Sequence, residues 1–161
     1  MSFSFKLKSH PDKLLYEHLK NVGKLSKEIV LCKEIKNKDA YSEIAYLIAI
    51  AHDFAKATTY FQEYLGKGKA TKNARHGLLS SIFGYYVVKK YFENKQQEKS
   101  WYLPPIAWIV ILRHHGDIHN IRGMEGEIER LKDKDEMEIV EEQIKTLTLP
   151  FLGFNFLDIP Q

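Results

Sequence analysis

The 161 residues contain one cysteine, five prolines and nine glycines. The lone Cys32 excludes an internal disulfide and a zinc site built from this chain's own thiolates, and it fits a reduced, cytoplasmic setting. So few prolines and glycines exclude a linker-dominated or low-complexity chain. Long apolar runs are missing as well. The longest, Ile44 to Ala51 with Tyr46 included, is far too short to cross a bilayer. The N-terminus, Met1 to Lys8, has no apolar signal core and no small-residue cleavage site. Nor does one sign of charge dominate: 24 basic residues against 21 acidic give +3. Any nucleic-acid footprint must therefore be local. The expectation is a single domain over residues 1–161, soluble and cytoplasmic, with no membrane association and enough chain to bury a core.

What is present is helical periodicity. Ser9-His10-Pro11-Asp12 reads as a helix start, with Ser9 as the cap and Pro11 in the first turn. Leu15, Leu19, Val22, Leu25 (or Ser26) and Ile29 follow at helical spacing, and His18 lies on their face. A second helix, from about Ala40 to His52, is apolar on most of its surface, which marks it as the central one. His52 and Lys56 share a face if that helix continues. Residues 58–65 read as a short helix capped by a threonine. Another helix runs from His76 to Phe92, with Ser80 one turn on and placed to orient His76. Pro104-Pro105 launches the buried segment 106–112, read as a helix with Trp108 in the core. Gly116 stops it and leaves His114 and His115 at its C-terminal end, where the helix dipole favours a cation by about 0.3–1 kcal/mol. One or two charged helices between Glu125 and Leu147 cover the core through Ile128, Leu131, Ile139 (or Val140), Ile144 and Leu147. The tail from Leu149 is strongly apolar and needs a surface to dock on. The fold class is all-α, a compact helical bundle.

Two features carry chemistry. The first is the set His18, His52-Asp53, His76 and His114-His115, each on or at the end of an apolar element. Helix bundles build metal sites from such inward-facing side chains. Five imidazoles and one carboxylate exceed the needs of one tetrahedral ion. They suit two ions bridged by Asp53, or one six-coordinate ion with open positions. Nitrogen and oxygen donors without thiolate suit manganese, iron, cobalt, nickel or zinc, whereas magnesium prefers more oxygen. Two ions about 3.5–4 Å apart clamp a phosphodiester, and Lys56 beside them neutralises phosphate charge. Asp117 and His119 follow closely enough to join the site or to solvate the turn. The second feature is the loop from Gly66 to Arg75, where Lys67, Lys69, Lys72 and Arg75 meet no acidic residue. It leads directly into His76 and is placed to hold a nucleic-acid backbone.

The ordered pattern His…His-Asp…His…His-His resembles the HD superfamily of metal-dependent phosphohydrolases. Within it, His52-Asp53-Phe54-Ala55-Lys56 followed by Phe61-Gln62, then His76-Gly77-Leu78-Leu79-Ser80, then His114-His115-Gly116, is similar to the CRISPR-associated HD nuclease. Ser9-His10-Pro11 and Leu15-Tyr16-Glu17-His18-Leu19 fit that family's first motif. The resemblance implies an all-α HD-domain bundle with the metal site between its central helices. It also implies divalent-metal-dependent cleavage of single-stranded DNA, and sometimes RNA, in type I CRISPR interference. A helicase and a CRISPR effector complex are the implied partners. Carried onto this chain, it gives His18, His52 and Asp53 to one metal, and Asp53, His76, His114 and His115 to a second. Lys56 falls beside the phosphate. The family usually adds a later aspartate to the first metal. No such motif stands here, and Asp117 and Asp158 are poor substitutes. The expectation is a domain shortened before its last helices, or one with a weakened first site. An HD nucleotide phosphohydrolase acting on a small substrate and a non-catalytic HD binding module are the alternatives.

Overall fold

A computed structural model describes residues 6–95, 100–116 and 121–147, without the side chains of residues 121–124 and 130. It opens on a small antiparallel hairpin, β1 (Lys8–His10) with β2 (Lys13–Leu14). Helices α1 (Leu15–Leu31) and α2 (Lys38–Ala51) follow, then a 3-10 turn at Phe54–Ala57 and α3 (Thr59–Lys67). A second 3-10 turn, Lys72–Ala74, leads into α4 (Gly77–Asn94) and α5 (Leu103–Leu112). Helices α6 (Ile121–Arg130) and α7 (Lys134–Thr146) complete the described chain. The all-α expectation holds, with the hairpin as its one departure among the described residues.

The first helix starts later than its sequence signature suggests. Pro11 and Asp12 form the hairpin turn, and Ser9 is a buried strand residue whose hydroxyl donates to the Lys13 carbonyl. The Leu15 amide is satisfied by the Leu7 carbonyl at 2.7 Å, so no side-chain cap is needed. The buried stripe of α1 is also narrower, running through Leu15, Leu19 and Gly23. Leu25 and Ile29 are exposed. Gly23 marks the crossing with α2, where a Cβ would lie 2.7 Å from Ile50 and 2.9 Å from Tyr46.

The main core joins α2, α4 and α5 through Ile44, Leu47, Val88, Tyr91, Leu103 and Ala107. That confirms α2 as the central helix. Phe54, stacked on Phe83 at 3.7 Å, ties the 3-10 turn to α4. Full burial of each such side chain contributes about 1.5–3 kcal/mol. Pro104 and Pro105 sit in the first turn of α5, and Trp108 is buried, as expected. Thr58 caps α3 by accepting from the Phe61 amide. The segment between Gly66 and Arg75 is less of a loop than expected. Helix α3 reaches Lys67, and Gly68 closes it with φ +69 before the second 3-10 turn.

The charged C-terminal part is two helices, broken at residues 131–133, with Asp133 capping α7. Its buried face is only partly the expected one: of the expected residues, Val140 is buried and Leu147 packs against the core. Val140 and Gln143 turn inward, whereas Ile128 and Ile144 are about half exposed and Leu131 is exposed. The apolar tail, together with Asp117, His119 and Asp158, lies outside the described residues. Among the described residues, no helix is long and apolar enough to cross a membrane.

Candidate metal centre

The centre forms where two helices end, a third begins and a fourth passes close by. His52 follows α2, His114 and His115 follow α5, His76 precedes α4, and His18 comes from the second turn of α1. Asp53 stands between them at φ −113, ψ 17, in the sparsely used region between helix and strand where many active-site residues sit. It is 2% exposed. Its two oxygens face different histidines. Oδ2 lies 3.0 Å from His18 Nε2 and 3.3 Å from His52 Nε2. Oδ1 lies 3.2 Å from His76 Nε2 and 3.4 Å from His114 Nε2. His115 joins the second group through its Nε2, 2.9 Å from that of His76.

The helix ends fix which nitrogen faces inward. His52 Nδ1–H donates to the Ala49 carbonyl at 2.6 Å, and His114 Nδ1–H donates to the Ile111 carbonyl at 2.5 Å. Both bonds reach three residues back, to last-turn carbonyls that a helix end otherwise leaves short of donors. Each therefore presents the lone pair of Nε2 to the centre, the arrangement in which a backbone carbonyl orients a metal-binding imidazole. Burial lowers the pKa values of His18 and His76. His115 is lowered to about 4 by burial, followed by repulsion from His114 and His76. These rings are neutral at pH 7 and keep their lone pairs.

The donor set fits a cation better than it fits itself. Asp53 Oδ1, His114 Nε2 and His18 Nδ1 are buried without a hydrogen-bond partner of sound geometry. Leaving buried polar atoms unpaired costs about 1–3 kcal/mol each. Ligand atoms from Asp53, His76, His114 and His115 lie within 4.8 Å of one another, and so do those of His18, His52 and Asp53. These are the two groups that the family resemblance implied, sharing one carboxylate. Nitrogen-rich, thiolate-free coordination suits a divalent transition metal.

Lys56 does not share a face with His52, because α2 ends at Ala51 and the chain tightens into the 3-10 turn. Three residues per turn bring Lys56 over Asp53 instead. Its Nζ is 2.8 Å from Asp53 Oδ2 and 5.3 Å from the Phe61 ring centre, and the residue is 4% exposed. Ser80 does not orient the His76 ring through its side chain. Its hydroxyl accepts from the Ala55 amide at 3.0 Å and so holds the turn that carries Lys56. On the cationic segment, Lys67, Lys69, Lys72 and Arg75 are all exposed. Lys67 lies 3.7 Å from Glu63, and Arg75 lies 3.8 Å from Glu136.

Three further residues support the centre; Gln62 and His10 stood in the motifs that carry the family resemblance with no role attached to them, and Gln143 stood in none. Gln143, on α7, is 1% exposed and donates through Nε2 to the carbonyls of Asn73 and Arg75, at 2.7 and 2.5 Å. It thus clamps the backbone immediately before His76. Its only sequence signal is a polar residue three positions after Val140 and four before Leu147, on the face that α7 buries. Gln62 accepts from the Lys8 amide and donates to the carbonyls of Lys8 and Lys56, at 3.0, 2.8 and 2.7 Å. His10 rests its ring against that of His18, centroids 5.5 Å apart at 82°. Gln143→Leu keeps the apolar volume and removes the clamp. Isothermal titration with manganese should then show weaker binding at the His76 group by about 10–100-fold, the usual cost of losing outer support. Unchanged affinity would make Gln143 a packing residue only.

The HD domain family model matches residues 15–147, and the chain belongs to this family of metal-dependent phosphohydrolases. Among known proteins it is similar to the CRISPR-associated endonuclease Cas3-HD of Pyrococcus furiosus, with 27% identity over 101 residues. The match covers 62% of this chain and 38% of that relative, so the chain spans well under half of the relative's length. No solved structure matches the chain.

Proposed function

We propose that this chain is a divalent-metal-dependent nuclease that hydrolyses phosphodiester bonds in single-stranded DNA, with RNA as a secondary substrate, in CRISPR interference. The observation that carries the reading is the division of the Asp53 carboxylate between two histidine groups, 3.0 and 3.3 Å on one side and 3.2 and 3.4 Å on the other. In this reading His18, His52 and Asp53 hold one ion, and Asp53, His76, His114 and His115 hold the other. Bound there, the ions would supply Lewis-acid polarisation of the phosphoryl oxygens and a water of lowered pKa.

The remaining work belongs to the chain's own residues. Lys56 keeps a buried positive charge against Asp53 Oδ2 and so fixes the carboxylate's rotation. It also offsets phosphate charge on that side of the centre. The half-buried imidazoles limit access to one face, where His115 is exposed. Lys67, Lys69, Lys72 and Arg75, just before His76, hold the flanking backbone through charge rather than base identity. A helicase and the wider CRISPR effector complex are the proposed partners, and the similarity to the Pyrococcus endonuclease supports that setting.

A substrate panel with manganese tests the reading. Labelled single-stranded DNA should be cut, duplex DNA should be cut far less, and nucleoside triphosphates should stay intact. Hydrolysis of nucleotides with DNA left whole would overturn it in favour of a small-molecule phosphohydrolase.

A further inference from the structure

The hairpin ahead of α1 has no role in holding metal, yet it is fastened to the centre. Gln62 pairs with both backbone groups of Lys8 as a neighbouring strand would, and with its remaining donor it holds the Lys56 carbonyl. Ser9 is 2% exposed, and its carbonyl faces Lys56 Nζ at 3.5 Å. A strand alternates its side chains, so a buried Ser9 turns His10 outward. His10 is exposed, and it pairs across the hairpin with the exposed Lys13.

The His10 ring is held in place by two contacts. Its Nδ1 is 3.1 Å from Ser9 Oγ, and its ring stands edge-to-face with His18. Because the Ser9 hydroxyl donates to the Lys13 carbonyl, Oγ is left to accept from His10 Nδ1–H. Lys13 lies close enough for its charge to act on His18. Residues 6–14 carry Lys6, Lys8 and Lys13 against Asp12 alone. An oriented, exposed aromatic ring beside a cation, one side chain away from a metal-binding histidine, is the combination that receives an unpaired nucleotide. Bases in single strands stack on aromatic faces, histidine included, while lysines neutralise the backbone.

We propose that the β1–β2 hairpin is a nucleotide subsite on the His18 side of the centre, where Lys13 contacts a backbone phosphate and the His10 ring stacks on the adjoining base. The proposal rests on the nuclease reading and adds to it. Residues 67–75 would then give the same strand a second cationic contact on the chain that leads into His76. Base stacking at the hairpin selects single strands, because duplex bases are already stacked.

Stopped-flow anisotropy on the manganese-loaded protein, read before turnover, tests this with a labelled 12-mer DNA and a fully abasic strand of equal length. Lys13→Ala should weaken both and reduce the slope of log K against log salt by about 0.7, the value of one single-strand phosphate. His10→Ala should weaken the DNA by about 5- to 100-fold and leave the abasic strand unchanged. His10→Phe should restore most of the loss. Lys38→Ala serves as the control. Lys38 begins α2, whose 14 residues separate it from His52 by about 20 Å. Manganese content, measured alongside, should stay at the wild-type value in every variant. Equal effects of His10→Ala on both strands, no effect on either, or a change in metal content would overturn the subsite. So would a wild-type protein that binds neither strand. Binding with the expected pattern but no cleavage would keep the subsite and remove the nuclease reading. Cleavage with unaltered binding in both variants would do the reverse.

Discussion

Asp53→Asn should leave a folded protein that has lost its activity and at least one of its ions. The substitution keeps the volume but removes the charge that both histidine groups face. Among the described site residues, Asp53 alone turns its two ligand atoms toward separate histidine groups, Oδ2 toward His18 and His52 and Oδ1 toward His76 and His114. Metal assistance supplies several kcal/mol of transition-state stabilisation, so the rate should fall on the order of 10³-fold. Folding should weaken too, because Lys56 is 4% exposed and loses its carboxylate. Breaking a buried ion pair costs about 3–5 kcal/mol. Metal analysis, DNA cleavage and thermal melting on one preparation read all three effects. Full activity with wild-type metal content would remove Asp53 from the centre.

Gly84→Val should be the most damaging change away from the centre. A Cβ at Gly84 would lie 2.1 Å from Ile111 Cδ1 and 3.5 Å from the Ala51 Cβ. Ile111 is fully buried, so moving its Cδ1 aside disturbs the packing around it. Helices α4 and α5 therefore approach each other through a missing side chain. Their ends also carry His76 and His114, so the same contact sets the width of the centre. Overpacking here should cost about 1–3 kcal/mol, lowering the melting temperature by roughly 2–12 °C for a chain of this size. Weaker metal binding should accompany it. Gly126→Ala is the matched control. Gly126 is helical in α6 with open space at its Cβ position. There the change should stabilise by about 0.5–1 kcal/mol. A Gly84→Val protein as stable as wild type would mean that α4 and α5 are not packed this closely.

The candidate ligands stood out in the sequence because each stands at an end or on an apolar face of a strongly periodic helix. The run at 106–112 is buried on one face only, through Ala107, Trp108 and Ile111, while Ile106 and Val110 are exposed, and it carries His114 to partial burial at its end. The hairpin was not legible, since Ser9-Pro11-Asp12 serves as well for a reverse turn as for a helix cap. What decides between them is the long-range contact of Gln62 with Lys8, 54 residues apart. Lys56 was found, but its neighbour was not. Helical spacing pairs it with His52, and only the tightening of the chain after Ala51 hands it to Asp53. Gln143 stayed hidden for a related reason. In α7 the apolar side chains Ile144 and Val140 look equivalent, yet the backbone of residues 73–75 needs donors, and that need draws the amide inward.

The central claim is that one carboxylate serves two metal positions. Manganese titration followed by electron paramagnetic resonance tests it most directly. Two ions per chain should bind, with a spin-coupled signal at saturation, and Asp53→Asn should abolish the coupling. A single ion at saturation, or two uncoupled ions indifferent to Asp53→Asn, would contradict it.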